Sequence, residues 1–352
     1  MLPEDVIEVR PDERFDEDRL HAYLRDRLPH ADGSLTVQQF SGGHANLTYL
    51  LTFDDGAMYT YVLRRPPLGP VAPGAHDMSR EHSVLSRLWT EFDKAPRSRV
   101  YCEDPSILGA PFFVMDRRDG IVVRKEVPAV FGGGADPTSN RRLSEVVIDT
   151  LAEFHGVDPA AAGLDELGRP DGFLARQVEG WAKRWHASKH EDVPLADELI
   201  AWLSDHLPES PDATLIHNDW RLDNMAVSPD DPGVCVAVYD WDMCTRGDPL
   251  ADLGTVLSVW YDDGEIPATL NPMPTFTPGF MSRAEAIDRY ASLTGTEPSS
   301  IGYYVTFGSF KMAVILQQIY IRYVRGQTHD ERFAGMGDAA RHLLELAASR
   351  RA

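Results

Sequence analysis

At 352 residues with 43% apolar side chains, the chain is long enough for two domains or lobes rather than one. A formal charge of −21 at pH 7 argues against nucleic acid and anionic membranes as partners, because both are held by clustered Lys and Arg. Cys102, Cys235 and Cys244 form neither a CxxC pair nor an even set, which points to a reducing, cytoplasmic compartment and away from a cysteine zinc site.

The acidic N-terminus lacks an apolar run, so no signal peptide is expected. Phe15, Leu20, Tyr23, Leu24 and Leu28 recur at helical spacing and predict a short amphipathic helix. Strand patterns follow at 35–40 and 46–53, separated by the turn Ser41-Gly42-Gly43-His44. Asp54-Asp55-Gly56 then turns the chain into a third antiparallel strand ending in Arg64 and Arg65. Past the Pro- and Gly-rich stretch 66–76, Asp77 or Ser79 caps a helix to about residue 92, whose apolar face carries Val84, Leu85 and Leu88. A strand pair is expected around 98–116.

These elements make an N-terminal lobe of residues 1–115, with 116–120 as a hinge. The rest, 121–352, reads as mostly helical, at 141–156, 172–190, 194–207, 248–261, 282–293, 300–325 and 330–350, with a strand-like pair around 213–241. Gly132-Gly133-Gly134 marks a loop expected to be mobile. The apolar segment from Tyr303 to Val324 is interrupted by Lys311, Gln317, Gln318 and Arg322, so it predicts a buried helix and not a membrane span. The fold class expected is α+β: a small antiparallel sheet followed by a larger helical part.

The stretch His217-Asn218-Asp219-Trp220-Arg221-Leu222-Asp223-Asn224, followed by a β-type run and Tyr239-Asp240-Trp241-Asp242, carries the chemistry. Phosphoryl transfer needs an acceptor for a hydroxyl proton, oxygen ligands for Mg²⁺ and cations facing the phosphates. A carboxylate and a carboxamide five residues apart on one tight loop can converge on a point, and the next hairpin can return a second carboxylate.

HxDxxxxN followed by D-W-[DE] resembles the catalytic loop and metal-binding Asp of aminoglycoside phosphotransferases and choline kinases, relatives of protein kinases. VLRRPPLGP, AHDMSRE, YDWDMCTRGDPLADLG and RYASLTG extend the resemblance over roughly residues 15–345, closest to the phosphotransferase-like domain also found fused to acyl-CoA dehydrogenases. The resemblance implies a two-lobed protein-kinase-like fold and an enzyme moving the γ-phosphate of ATP, with Mg²⁺, to a hydroxyl of a small molecule. An aminoglycoside-like antibiotic and a hydroxyacyl thioester are both acceptors it suggests. An ATP-binding pseudokinase is the alternative; its hallmark, loss of Asp219, Asn224 or Asp240, is absent.

By that resemblance Asp219 is the catalytic base or hydroxyl-orienting group, Arg221 steadies the transferring phosphoryl group, and Asn224 and Asp240 are Mg²⁺ ligands. A zinc site from His217, Asp219 and Asp240 lacks further nitrogen or sulfur ligands. Two departures from the family pattern stand out. Asn218 replaces a Gly, and Asn is the next residue most tolerant of left-handed backbone. The phosphate-gripping Lys of the third strand is missing, since the first lysine is Lys94. Arg64 takes its place with Glu81 as ion-pair partner, unless strand alternation turns Arg65 to that side. Glu81 as a solvated helix residue is the plainer alternative.

Gly42 and Gly43 are placed to cover the phosphates, although Gly-Gly between strands also makes an ordinary hairpin turn and Ala45 stands where relatives carry Ser. Adenine is expected near Val62 and Met115, bonding to backbone from Asp116 to Arg118. Asp248 and Asp252 read as residues that cap a helix and brace the catalytic loop, with His217 in support. Trp181 and Trp185 lie at helical spacing and read as core. Asp262, Asp263 and Glu265 read as a solvated face.

Overall fold

The computed structural model describes residues 6–41, 46–68, 77–262, 273–328 and 331–351. The chain divides into two compact units. The first is Met1–Asp119 with Ala162–Leu164 and Ala237–Cys244; the second is Gly120–Ala161, Asp165–Val236 and Thr245–Ala352. A linear division of the sequence assigns 237–244 to the second part; the structure folds this segment, and Asp240 with it, into the first.

The first unit is built on an antiparallel sheet of β1 (Val6–Ile7), β2 (Ser34–Phe40), β3 (Leu47–Asp54), β4 (Met58–Arg65), β5 (Ser98–Cys102) and β6 (Phe112–Asp116), in the order β1-β2-β3-β4-β6-β5. Strands β2 to β4 are the three expected consecutive strands. Gly56, at φ 105°, supplies the left-handed residue of the β3–β4 hairpin. Period-2 alternation sends Tyr49, Leu51 and Phe53 of β3 and Tyr61 and Leu63 of β4 into one core with Leu20 and Leu24 of α1 (Glu17–Leu24). Asp16 caps α1 by accepting from the Arg19 N–H. Asp77 does the same for α2 (Met78–Leu88), accepting from Ser79 and Arg80, and α2 packs on β5 and β6. A four-residue helix, α3 (Pro105–Leu108), joins those two strands.

The second unit is mainly helical. Its helices are α4 (Pro137–His155), α5 (Phe173–Ser188), α6 (Pro194–Asp205), α7 (Pro249–Ser258), α8 (Arg283–Thr294), α9 (Ile301–Val324) and α10 (Met336–Ser349). The strand-like pair expected near 213–241 proves to be two small sheets. One runs β10 (Asp231–Val238), β9 (Met225–Ser228), β7 (Ile121–Val122); the other pairs β11 (Thr245–Gly247) with β8 (Thr214–Ile216). Helix α9 packs on α10, α7 and α5 and is mostly buried. No helix among the described residues is long and apolar enough to cross a membrane.

The loop at Gly132-Gly133-Gly134 is tied rather than open. All three glycines have positive φ. Gly132 and Gly133 donate to Ala129 and Pro128 carbonyls, and Asn140 Nδ2 holds the Gly134 carbonyl at 2.9 Å.

Candidate active site

The site residues expected from sequence fall in two groups, one in each unit. In the second unit, β8 delivers the chain to His217, and the backbone then reverses through Asn218, which adopts φ 67°. Only Gly is easier in that conformation, and Asn is the tolerated substitute. The turn exposes its amides, and Asp252 takes them. Its carboxylate accepts from His217 N at 2.5 Å and Asn218 N at 2.6 Å.

Asp252 is fully buried, in the first turn of α7. Burial alone would raise its carboxyl, but the His155 hydrogen bond and the charges of His155 and His217 hold it below the ordinary range. His155 Nε2 lies 3.4 Å from that carboxylate, and its other ring nitrogen lies 2.7 Å from the Tyr290 hydroxyl. Asp248 caps α7 by accepting from Leu250 N at 2.9 Å and also accepts from the Tyr304 hydroxyl at 2.7 Å. Asp248 thus caps the helix and Asp252 braces the loop, the two roles the sequence suggested for the pair.

Within the loop, Asn224 Nδ2 donates to the backbone carbonyl and to Oδ2 of Asp219, both at 2.9 Å. The carboxylate and carboxamide therefore do converge. Asp219 N donates to His217 Nδ1 at 3.2 Å, and Trp220 is anchored by Nε1 on the Val147 carbonyl while stacking on Phe154. Arg221 lies between two carboxylates, its Nη2 3.1 Å from Asp223 and its Nε 3.6 Å from Asp219. Burial pushes the Asp223 carboxyl up, and Arg221 opposes the rise.

Lys311 was legible only as an interruption of an apolar run. It projects from the middle of α9, is 5% exposed, and its Nζ donates to the Asn218 carbonyl. Burial pulls the ammonium down, and Asp219 and Asp252 counter that pull. The available signal was the charge itself: a lysine in a buried helix must find an acceptor.

In the first unit, Arg64 Nη1 meets Glu81 at 2.7 Å and Nη2 meets Asp240 at 3.0 Å. Glu81 is buried, not solvated. Alternation along β4 sends Arg65 to the other face, where it donates to the Leu108 and Glu13 carbonyls and the Tyr49 hydroxyl. Arg64 is thus the strand's cation on the Glu81 side. Burial alone would lower its pKa, but Glu81 and Asp240 raise it. Burial pushes the Glu81 carboxyl up; Arg64 opposes the rise, and Asp240 and Asp242 add to it. Asp240 is left-handed at φ 67°, which nothing in its sequence neighbourhood signalled. Its segment is fixed by Trp241 Nε1 on the Val238 carbonyl at 2.7 Å and by Arg80 Nη2 on the Cys244 carbonyl at 3.1 Å.

Met115 is buried opposite Val62 across β6 and β4. Asp116 donates its N–H to the Arg97 carbonyl, and its carboxylate takes Arg99 at 2.5 and 2.9 Å. Gly42 and Gly43, like Asp263 and Glu265, lie outside the described residues. Trp181 and Trp185 are buried, as core.

The sequence pattern of the phosphotransferase enzyme family matches residues 36–276. Acyl-CoA dehydrogenase family member 11 of Gallus gallus is 34% identical over 340 residues, which cover 92% of this chain and 42% of that protein. The chain thus spans less than half the length of that relative. A solved structure from Ralstonia eutropha, provisionally named an aminoglycoside phosphotransferase, superposes with a TM-score of 0.81 at 29% identity, covering 96% of this chain and 98% of that one. Choline kinase from Cryptosporidium parvum shares the fold at a TM-score of 0.63 and 12% identity, with 95% and 96% covered. The fold is kinase-like and α+β, and the chain belongs to the phosphotransferase enzyme family.

Proposed function

We propose that the chain is a kinase that moves the γ-phosphoryl group of ATP to a hydroxyl of a small molecule. The observation that carries the reading is the Asp219–Asn224 pair, held on a left-handed loop whose amides are clamped by Asp252. Asn224 fixes one carboxylate oxygen of Asp219. The carboxylate's remaining lone pairs can accept the proton of an acceptor hydroxyl as the new O–P bond forms and the bond to ADP breaks. Arg221 would steady negative charge on the transferred group.

The residues fit a hard divalent cation. Asn224 and Asp240 offer oxygen donors, the ligand type such a cation takes. Asn224 and Asp240 would hold Mg²⁺, which supplies neutralisation of phosphate charge. Arg64 is the cation for the phosphates, and Gly42 and Gly43 the backbone that covers them. The reading places adenine beside Met115 and Asp116. The Asp116 N–H is committed to the Arg97 carbonyl. Two acceptor classes are proposed: aminoglycosides, after the name given to the Ralstonia structure, and hydroxyacyl thioesters, by extension from the acyl-CoA of the dehydrogenase relative's name.

Incubation with Mg²⁺ and γ-labelled ATP against aminoglycosides, amino alcohols and hydroxyacyl-CoA esters tests this. Label transfer to one class is expected, falling roughly 10²- to 10⁴-fold in Asp219→Asn with ATP binding retained. Undiminished transfer in that variant would remove Asp219 from the mechanism. ATP binding without transfer to any acceptor would favour a regulatory nucleotide-binding module.

A further inference from the structure

The first unit contains a cavity of about 380 Å³ whose wall includes Trp89, Arg97, Arg99, Asp116, Arg117 and Arg118. Of the residues assigned above to ATP, Asp116 lines it while Arg64, Glu81 and Met115 do not, and Tyr61 of its wall alternates along β4 to the face opposite Val62 and Arg64. Its charge runs against that of the molecule. Four arginines meet one aspartate in the wall, in a chain carrying −21.

The arginines differ in how they are held. Arg99 is taken in two-pronged fashion by Asp116, and Arg117 pairs with Asp119. Arg97 and Arg118 have no carboxylate partner among the described residues. Arg97 lies with its guanidinium 4.3 Å from the centre of the Trp89 ring. Arg118 reaches only the Asp93 carbonyl, at 2.8 Å, and its Nε is buried without a hydrogen-bond partner. A guanidinium stacked on an aromatic face keeps its in-plane N–H groups directed outward, the geometry that grips phosphate in forked fashion. A buried donor with no acceptor is costly in a finished structure and is satisfied when an anion arrives.

We propose that this cavity is a binding site for a small organic phosphate, separate from the phosphoryl donor, with Arg97 and Arg118 as its anion-gripping residues and Trp89 as the rigid backing. The size suits one small ligand. Arg99 and Asp116 form a preset wall, since their charges already satisfy each other. The site stands or falls independently of the kinase reading.

Calorimetric titration of the full chain in metal-free, low-salt buffer, with pyrophosphate and with adenosine 3′,5′-bisphosphate, decides it. Saturable binding of at least one is expected, weakened about 10-fold or more in Arg97→Gln and further in Arg97→Gln/Arg118→Gln. Arg97 makes no side-chain hydrogen bond among the described residues, so its single variant keeps the fold and decides the matter even if the double variant does not fold. Tighter binding of the bisphosphate would identify a ring-bearing phosphate; equal binding would identify the phosphate group alone, and both support the site. No saturable binding at millimolar probe, or binding unchanged in Arg97→Gln, overturns it.

Discussion

Asn218 shows how much of the catalytic loop rests on single groups. Its left-handed backbone presents an amide to Asp252 and a carbonyl to Lys311, so both polar groups of one peptide turn are held from other helices. Asp252→Asn would keep an oxygen for one of the two N–H donors and set an amide donor against the other. The expected loss is about 2–4 kcal/mol of stability, read as a lowered midpoint in urea unfolding. Unchanged stability would show that the clamp is dispensable. The carboxyl of Asp252 is depressed in the folded state, so its contribution is present above the ordinary aspartate pKa and is lost as pH falls through the folded value. The wild-type chain should therefore lose this advantage over Asp252→Asn as the pH falls below the ordinary aspartate range.

At the scale of elements, the clamp depends on how α7 and α9 meet, because α7 carries Asp252 and α9 carries Lys311. They approach at two glycines. A Cβ on Gly254 would lie 2.5 Å from the Tyr304 backbone, and one on Gly308 would lie 2.7 Å from the Gly254 carbonyl. Gly254→Ala should destabilise by about 1–3 kcal/mol in thermal unfolding, outweighing the gain in helix propensity of roughly 1 kcal/mol. A stabilised variant would contradict the close approach.

Much of this was legible in sequence where the signal is local. Arg64 was named as the partner of Glu81 with Arg65 left as the alternative, which the structure decides, and the expected caps at Asp77 and Asp248 stand where helices begin. The short strands β7 and β11 were not legible, since two or three residues carry no period and exist only through their partners. Nor was Lys311, whose acceptor lies 93 residues away.

For the whole molecule, the dominant physical fact is a charge of −21. Self-repulsion of that size opposes the compact state and is screened by salt. The melting temperature should therefore rise by roughly 2–5 °C between ~20 and ~300 mM NaCl. A fall would mean that ion pairs such as Arg289–Asp149, at 2.5 Å, outweigh the net charge. Long-range assembly is also where sequence reading reached least far. The membership of Ala237–Cys244 in the first unit is set by bonds such as Val238 N to the Lys94 carbonyl, across a separation no local pattern spans.

The two arginines at the end of β4 act together as a check on alignment. Sliding that strand by one residue would exchange their faces, withdrawing a guanidinium from the Glu13, Leu108 and Tyr49 oxygens and another from Glu81 and Asp240 in the same step. A mispaired hairpin is thus penalised twice, on opposite sides of one sheet.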